Sequence, residues 1–268
     1  MMGDGRALPY DLLSLDIGSA VDHTIAGDGE IWTVKPLSEL TRLHDTLCGS
    51  PAPENIVVAG AGPTGTEVAA SVAGLFERRG SAPSLALVGK RMAGGGWDRL
   101  YESLERRGVA LIDGEVVART KDAVQLRDSR CLPCDHLIAA TGLWANALAE
   151  ATPLAHGESG GIAVAATLRS VSDPAIFACG DCADFLPRPL PKHGVFGVRQ
   201  APILARNLIA AARADSLVPF RPQRRWLSIM DLGNGEGFAT WGRFAVRARP
   251  ALALKRRLDL GFVGRFQS

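Results

Sequence analysis

The segment NIVVAGAGPTGTEVAASVAGLFERRG, which begins at Asn55, constrains the fold of the chain more than any other stretch. Its short apolar run, Ile56 to Ala59, predicts a buried strand, and a glycine-rich turn of the pattern Gly60-x-Gly62-x-x-Gly65 follows directly. The residues after the turn carry an apolar stripe at helical spacing, formed by Val68, Val72, Leu75 and Phe76. The segment therefore predicts a strand, a tight turn and a helix.

Each glycine of this turn has its own physical role. Gly60 permits the tight turn, Gly62 lets a pyrophosphate approach the backbone, and Gly65 lets the helix pack close to the strand. The start of the helix, at Pro63 and Thr64, adds free N–H groups and the positive end of the helix dipole. The turn in this context predicts a dinucleotide-binding site.

A second predicted strand, SLALV, ends at Gly89 and is followed by Lys90 and Arg91. In sites of this kind an acid at the end of the second strand binds the adenosine ribose of NAD. A basic pair can instead receive the 2′-phosphate of NADP, and it can equally be plain surface charge. The choice between NADH and NADPH therefore stays open, with a slight preference for NADP tolerance.

The α/β pattern continues through a predicted helix, WDRLYESLERR, and several short strands. It closes on the apolar stretch CDHLIAATG, which ends in Thr141 and Gly142, and we place both residues at the cofactor site. Residues 51–147 are thus predicted to form an α/β, Rossmann-like NAD(P)-binding domain.

The composition limits the classes of protein to which the chain can belong. With 268 residues, 47% of them hydrophobic, it can bury one or two cores, and its net charge of +2 argues against a dedicated nucleic-acid binder. No apolar run reaches the ~18 residues of a membrane span, and the first residues lack a signal-peptide pattern. Five cysteines, an odd number, favour reduced thiols and a cytoplasmic location.

Charge is unevenly distributed along the chain. Residues 221–268 hold ten Lys and Arg but three Asp and Glu. Such a basic segment can contact an anionic membrane surface, an acidic partner or phosphates, or it can be a solvated face. Within it, WLSIMDLGNGEGFATWG predicts a hairpin around GNGEG.

Three stretches together resemble the pyridine nucleotide-disulfide oxidoreductase superfamily of flavoproteins: VVAGAGPTGTE, CDHLIAATG and SDPAIFACGDCADF. The resemblance implies a two-dinucleotide-binding-domain fold, in which one domain binds FAD and the other, inserted into it, binds NAD(P)H. Within the superfamily the chain is most similar to the type II NADH dehydrogenase branch. It is closer still to the flavoprotein module associated with selenide, water dikinase.

The resemblance also implies roles for single residues. Gly180 and Asp181 match the turn that approaches the ribityl and pyrophosphate groups of FAD. KHGVFGVRQAP resembles the start of a helix beside the flavin ring, so we expect its first turn near Arg199–Ala201 and assign Gln200 to the cofactor site. Glu67 matches a glutamate near the nicotinamide, which makes it the candidate catalytic residue. The alternative is a carboxylate that complements the helix dipole.

Residues 8–19, LPYDLLSLDIGS, nearly repeat residues 132–143, LPCDHLIAATGL. Since the second copy closes the NAD(P) domain, the first resembles the closure of an FAD segment, with Gly18 at the cofactor. By analogy with the second copy, roughly 80 residues that carry an FAD glycine turn are expected to be missing before it. The predicted domains are 1–50, a remnant of the first FAD segment; 51–147; 148–215, the second FAD segment; and 216–268, the hairpin and basic tail.

Two CxxC pairs, Cys131–Cys134 and Cys179–Cys182, invite a zinc or a redox-dithiol interpretation. Their separation exceeds the ~15–20 residues of a compact zinc ribbon, and neither pair is predicted at a helix start. We therefore assign no metal ligands. His193, which precedes the helix beside the flavin, is a candidate for a role near the ring, or it is a structural or surface residue.

Two functions follow from these observations. The first is an FAD-dependent oxidoreductase that passes hydride from NAD(P)H to flavin and on to a small-molecule acceptor, a quinone or a selenium or sulfur species. The alternative is a non-catalytic NAD(P)-binding fragment, or one half of a split enzyme. The partners expected are the acceptor, a selenophosphate synthetase or a missing FAD-binding half, and the inner membrane face through the basic tail. No nucleic acid is expected.

Overall fold

A computed structural model of the chain describes residues 7–21, 25–50 and 54–266. The chain divides into two compact units. The larger unit comprises Val21–Gly142 and Arg225–Ser268, and the smaller unit comprises Met1–Ala20 and Leu143–Arg224.

The described residues form six α-helices and eighteen short strands. In chain order the strands are β1 (Leu13–Leu15), β2 (Ser19–Val21), β3 (Ala26–Gly27), β4 (Ile31–Thr33), β5 (Asn55–Ala59), β6 (Ser84–Val88), β7 (Val109–Ile112), β8 (Val116–Arg119), β9 (Ala123–Leu126), β10 (Cys131–Pro133), β11 (His136–Ala139), β12 (Leu143–Ala145), β13 (Ile162–Val164), β14 (Ile176–Ala178), β15 (Ala183–Phe185), β16 (Leu227–Asp231), β17 (Gly237–Trp241) and β18 (Phe244–Ala248). The helices are α1 (Leu37–Gly49), α2 (Pro63–Arg78), α3 (Trp97–Arg106), α4 (Ala147–Glu150), α5 (Gly194–Ala212) and α6 (Arg249–Val263).

The core of the larger unit is a five-stranded parallel sheet in the order β4-β11-β5-β6-β7. Its central strands are continuous apolar runs because a parallel sheet is covered on both faces. Ile56, Val58, Leu137 and Ile138 are accordingly fully buried. The predicted α/β, Rossmann-like fold is confirmed, and β5 carries the glycine-rich turn at its carboxyl end.

A smaller sheet in the order β10-β9-β8-β3 belongs to the same unit. Strands β8, β9 and β10 form an antiparallel meander between β7 and β11, and β3 adds to β8 in parallel. This meander places the segment that follows β7 beside the glycine turn, as described below.

The C-terminal segment also packs onto the larger unit. The predicted hairpin is confirmed: β16 pairs antiparallel with β17, with Asp231 opposite Gly237, and β18 extends the sheet. The turn of the hairpin lies against α2, where a Cβ on Gly74 would come within 2.2 Å of the carbonyl oxygen of Gly233. So close a backbone approach requires glycine at position 74.

Arg107, directly after α3, stabilises the contact between the hairpin and α2. Its guanidinium donates to the carbonyl oxygens of Leu232 (2.8 Å) and Ala70 (3.0 Å) and pairs with Glu77 at 2.6 Å. The arginine therefore joins the hairpin to α2 through all three nitrogens of its planar head group.

The smaller unit is built on a compact apolar core that includes Phe177, Ile162, Val164, Leu168 and Cys182. Strand β1 pairs in parallel with β14, and β13 pairs in parallel with β15. Helix α5 covers this core with Leu204, and its buried Asn207 binds the carbonyl oxygens of Thr167 and Val218.

The compact units differ from the predicted domain boundaries, and the two largest differences have a structural cause. Residues 25–50 belong to the larger unit because β4 pairs with β11. Residues 225–266 belong there as well because the hairpin packs on α2. Neither contact is local in the sequence, so composition and turn signals did not indicate them. The sequence predictions that concern residues 1–6, 22–24, 51–53 and 267–268 lie outside the described residues.

Across the described ranges, none of the helices combines the length and the apolar character that crossing a bilayer requires.

Replacing Gly74 with Ala is expected to lower the free energy of unfolding by about 1–3 kcal/mol, because the new methyl group overlaps the carbonyl of Gly233. Gly49→Ala, at the end of α1, is the matched control because nothing lies within 4 Å of its Cβ position. Urea unfolding followed by circular dichroism measures both variants. Equal midpoints for the two would contradict the packing of the hairpin on α2.

Candidate functional site

The turn between β5 and α2 is held by contacts between backbone atoms. Gly60 has a φ of +110°, and a Cβ there would lie 2.1 Å from the carbonyl oxygen of Ala140. A Cβ on Gly65 would lie 1.7 Å from the carbonyl oxygen of Gly60. These two glycines are therefore required by the fold itself.

Gly62 differs from its neighbours because no atom lies within 4 Å of its Cβ position, and its φ of −74° suits any residue. Helix α2 begins directly after it, with Pro63 in the first position. The first N–H groups of a helix have no partner within the helix, and they point out of its start. The fold itself does not need glycine at this position. An anion that approached these N–H groups would need it, because a side chain would stand in its way.

A cavity of about 700 Å³ opens in front of the turn. It brings together eight of the predicted cofactor residues: Gly60, Gly62, Pro63, Thr64, Gly89, Lys90, Thr141 and Gly142. Gly65 lies behind the cavity wall, where it supports the turn. The carboxyl ends of β5, β6 and β11 thus meet at one edge of the sheet, as expected for a parallel α/β fold.

Two further residues of this cavity were missed by the sequence analysis. Arg127 and Glu115 line it and form an ion pair at 2.5 Å. The hydrogen bond from Arg127 lowers the pKa of Glu115, and the same bond raises the pKa of Arg127. Both residues arrive through the meander, so no local sequence signal marks them.

Glu67 lies on α2 but not in this cavity. It lines a second cavity of about 400 Å³ between α1 and α2, and Thr64 lines both. Its Oε1 accepts the backbone N–H of Asp231 at 2.8 Å. Burial raises the pKa of Glu67, although the hydrogen bond from Asp231 opposes the rise. Its assigned catalytic role remains a prediction.

In the smaller unit, the predicted flavin residues gather at the 3-10 turn Gly180–Cys182. The carboxylate of Asp181 accepts the hydroxyl of Ser19, next to Gly18, at 2.8 Å. The ammonium group of Lys192 donates to the carbonyl oxygen of Asp181 at 2.6 Å.

Gln200 supports this turn from behind. Its side chain is buried, and its Oε1 accepts the N–H of Gly180 at 2.7 Å. Helix α5 begins at Gly194, so the expectation that its first turn lies near Arg199–Ala201 is wrong. The helix starts earlier because His193, with extended backbone, is its N-cap residue. Desolvation lowers the pKa of His193, and the charge of Asp181 opposes the effect.

All five cysteines, including those of the two CxxC pairs, are free thiols that differ in their exposure to solvent. Cys48 and Cys131 are exposed, whereas Cys134, Cys179 and Cys182 are buried. Burial raises the pKa of Cys134 to about 11 and that of Cys179 to about 12. Burial also raises the pKa of Cys182, although the N–H groups of Ile17 and Gly18 oppose the rise. Thiols that stay protonated in this way are poor nucleophiles.

A thiol reagent such as DTNB at pH 8 is expected to react quickly with Cys48 and Cys131 alone in the folded chain. The other three thiols stay protonated because their pKa values lie above this pH or are raised by burial. Absorbance at the reagent's product band counts the reacted thiols, and unfolding in urea is the control that exposes all five. Rapid reaction of four or five thiols in the folded chain would contradict the buried positions.

Comparison with known proteins agrees with this geometry. A family model described as pyridine nucleotide-disulphide oxidoreductase matches residues 2–207. A nitric oxide reductase FlRd-NAD(+) reductase of Pectobacterium atrosepticum is 34% identical over 212 residues, which cover 75% of this chain and 53% of the relative. Putidaredoxin reductase CamA of Pseudomonas putida is 32% identical over 198 residues, or 69% of this chain and 46% of the relative.

Solved structures show the same likeness. A covalent putidaredoxin reductase–putidaredoxin complex aligns with a TM-score of 0.68 at 25% identity, covering 90% of this chain and 60% of its own. NDH2 of Plasmodium falciparum in complex with NADH aligns with a TM-score of 0.76, covering 95% and 74%; at 15% identity this likeness shows the fold alone.

The chain spans about half the length of the curated relatives it matches. The match to the family model covers most of the chain. The chain belongs to the pyridine nucleotide-disulphide oxidoreductase family.

Proposed function

We propose that the chain binds NAD(P)H at the glycine turn and serves an FAD-dependent oxidoreductase reaction. The observation that carries the proposal is the open space at Gly62, which faces a cavity of about 700 Å³ at the start of α2. A dinucleotide pyrophosphate needs both features. It accepts hydrogen bonds from the N–H groups at a helix start, and it can approach the backbone closely only where no side chain blocks the way.

The residues around the turn fit the rest of the dinucleotide. Gly89 lies so close to the turn that a Cβ there would be 2.5 Å from the N atom of Ala61. The loop after β6 therefore lies directly beside the pyrophosphate position, where the adenosine ribose of a dinucleotide belongs. Lys90 lines the cavity there, and Gly89 stands at the end of β6, where an acid would bind the ribose hydroxyls of NAD.

This arrangement favours NADPH over NADH. The ammonium group of Lys90 is exposed at the cavity, where it can pair with a 2′-phosphate. Arg127, the other cation of the cavity, is already paired with Glu115.

Gly62→Ala is expected to weaken NADPH binding at least about tenfold, since its methyl group occupies the space where the pyrophosphate meets the backbone. The free energy of unfolding should change by less than about 0.5 kcal/mol, because the methyl group meets no protein atom. Isothermal titration of the 268-residue chain with NADPH and NADH measures both affinity and preference.

The control for this titration is Gly108→Ala, which also meets open space but lies at the end of α3, outside the cavity residues. Its φ of +82° makes it the less stable variant, yet it should bind as the parent does. Unchanged binding by Gly62→Ala would contradict the site, and tighter binding of NADH would contradict the preference.

FAD is the second cofactor of the proposal. Asp181, held by Ser19 and flanked by Gly18, fits the flavin-side role that the resemblance implies, because a fixed carboxylate can receive hydroxyl groups. Bound there, FAD would supply the redox chemistry of the reaction, as the acceptor of hydride from NAD(P)H and the donor of electrons to a further acceptor. The names of the relatives support an electron-transfer reductase, and the acceptor itself, a quinone, a selenium or sulfur species or a small redox protein, stays a proposal.

The alternative function is a nucleotide-binding half without flavin chemistry of its own. The same preparation separates the two, because a bound flavin gives the purified chain a visible absorbance band. A colourless chain that binds NADPH supports the alternative. The association with a selenophosphate synthetase, or with an FAD-binding half, stays a prediction from the resemblance.

Contact with a membrane surface is proposed for α6. Leu254, Leu258 and Phe262, spaced four residues apart on one side of the helix, are exposed to solvent. Lys255 and Arg257 border this side of the helix, so the helix presents apolar and basic groups together. A surface of this composition suits an anionic bilayer.

Leu258→Glu is expected to abolish sedimentation with phosphatidylglycerol vesicles, because it places a charge in the apolar stripe. Leu148→Glu, at an exposed leucine on α4, is the matched control and should sediment as the parent does. Failure of the parent chain to sediment with these vesicles would contradict the proposal.

A further inference from the structure

Tyr101 lies behind the proposed dinucleotide site, and neither the motif nor the cavity assigns it a role. It is 2% exposed and comes from α3, which follows the loop after β6. Its ring packs against Trp97 with centroids 5.8 Å apart. A buried tyrosine normally has a partner for its hydroxyl, so the partners of this one indicate what it does.

The hydroxyl of Tyr101 joins two loops that contact different parts of a dinucleotide. It donates to the carbonyl oxygen of Ala61 at 2.8 Å, inside the Gly60–Gly62 turn. It also accepts the N–H of Met92 at 3.0 Å, directly after Lys90 and Arg91. One phenol thus bridges the pyrophosphate turn and the loop beside the ribose position.

Other contacts between these loops run through their inner ends. The N–H of Gly60 donates to the carbonyl oxygen of Val88 at 2.7 Å, and Gly89 touches Ala61. Beyond Gly89 the loop is exposed, with Lys90, Arg91 and Met92 all at the surface. Tyr101 is the described residue that ties this outer part back to the turn.

We propose that Tyr101 is a positioning residue. It sets the distance between the pyrophosphate turn, Gly60–Gly62, and the loop beside the ribose position, which holds Lys90 and Met92. It does so without touching the ligand, by fixing Ala61 and Met92 against one another. A ligand that contacts both loops, such as ADP-ribose or NADPH, gains affinity from loops that are already in place. The inference rests on the proposed dinucleotide site and adds a residue to it.

Tyr101→Phe keeps the ring and its packing but removes the bridge. The variant is expected to bind NADPH and ADP-ribose about tenfold more weakly in isothermal titration, because the loop must be ordered on binding. The amide of Met92 should also lose protection from hydrogen exchange in the free protein, since its acceptor is gone.

Two controls separate positioning from general stability. Tyr10→Phe makes the same chemical change at an exposed tyrosine. Leu104→Val loosens the buried face of the same helix and lowers the unfolding midpoint while it keeps the hydroxyl of Tyr101. Both should bind ADP-ribose within about twofold of the parent chain.

The outcomes are distinct. Binding by the parent and Tyr101→Phe with equal affinity, or equal protection of Met92 in both, overturns the positioning role and leaves the dinucleotide site intact. An equal loss of affinity in Leu104→Val also overturns it. Failure of the parent chain to bind ADP-ribose or NADPH overturns the dinucleotide site and this inference together.

Discussion

The approach of Gly65 to the backbone of Gly60 is the constraint on which the site depends. A Cβ atom at position 65 would lie 1.7 Å from the carbonyl oxygen of Gly60. The turn from β5 to α2 can therefore form only with glycine at position 65. The contact fixes where the helix starts and which way its first N–H groups point. It therefore determines the position of the positive end of the helix dipole relative to the sheet.

The same helix has a second use on its opposite side. Glu67 accepts the backbone N–H of Asp231, and Ala70 and Gly74 lie in close backbone contact with Gly233 of the hairpin. Helix α2 thus connects the cavity at its start with a sheet formed about 160 residues later in the chain. The burial of Glu67 in this contact explains why its pKa is raised and its carboxylate already has a partner.

The parts of the fold that the sequence predicted are those with local causes. The glycine spacing, the apolar run of β5 and the hairpin around Gly235 each act over a few residues, and the structure has all three. Arg127 and Tyr101 could not be predicted in the same way, because each reaches the site through a tertiary contact. The start of α5 was misplaced because its boundary depends on the extended backbone at His193, and no strong capping residue marks it.

We propose that the N–H groups at the start of α2 receive the pyrophosphate of NADPH. Titration of NADPH into the isotopically labelled chain, followed by amide resonances in NMR spectra, tests this directly. The largest shifts are expected at Gly62, Thr64, Gly65 and Gly89. Shifts that are largest in the groove between α1 and α2 instead, or an absence of shifts at the glycine turn at saturating NADPH, would contradict it.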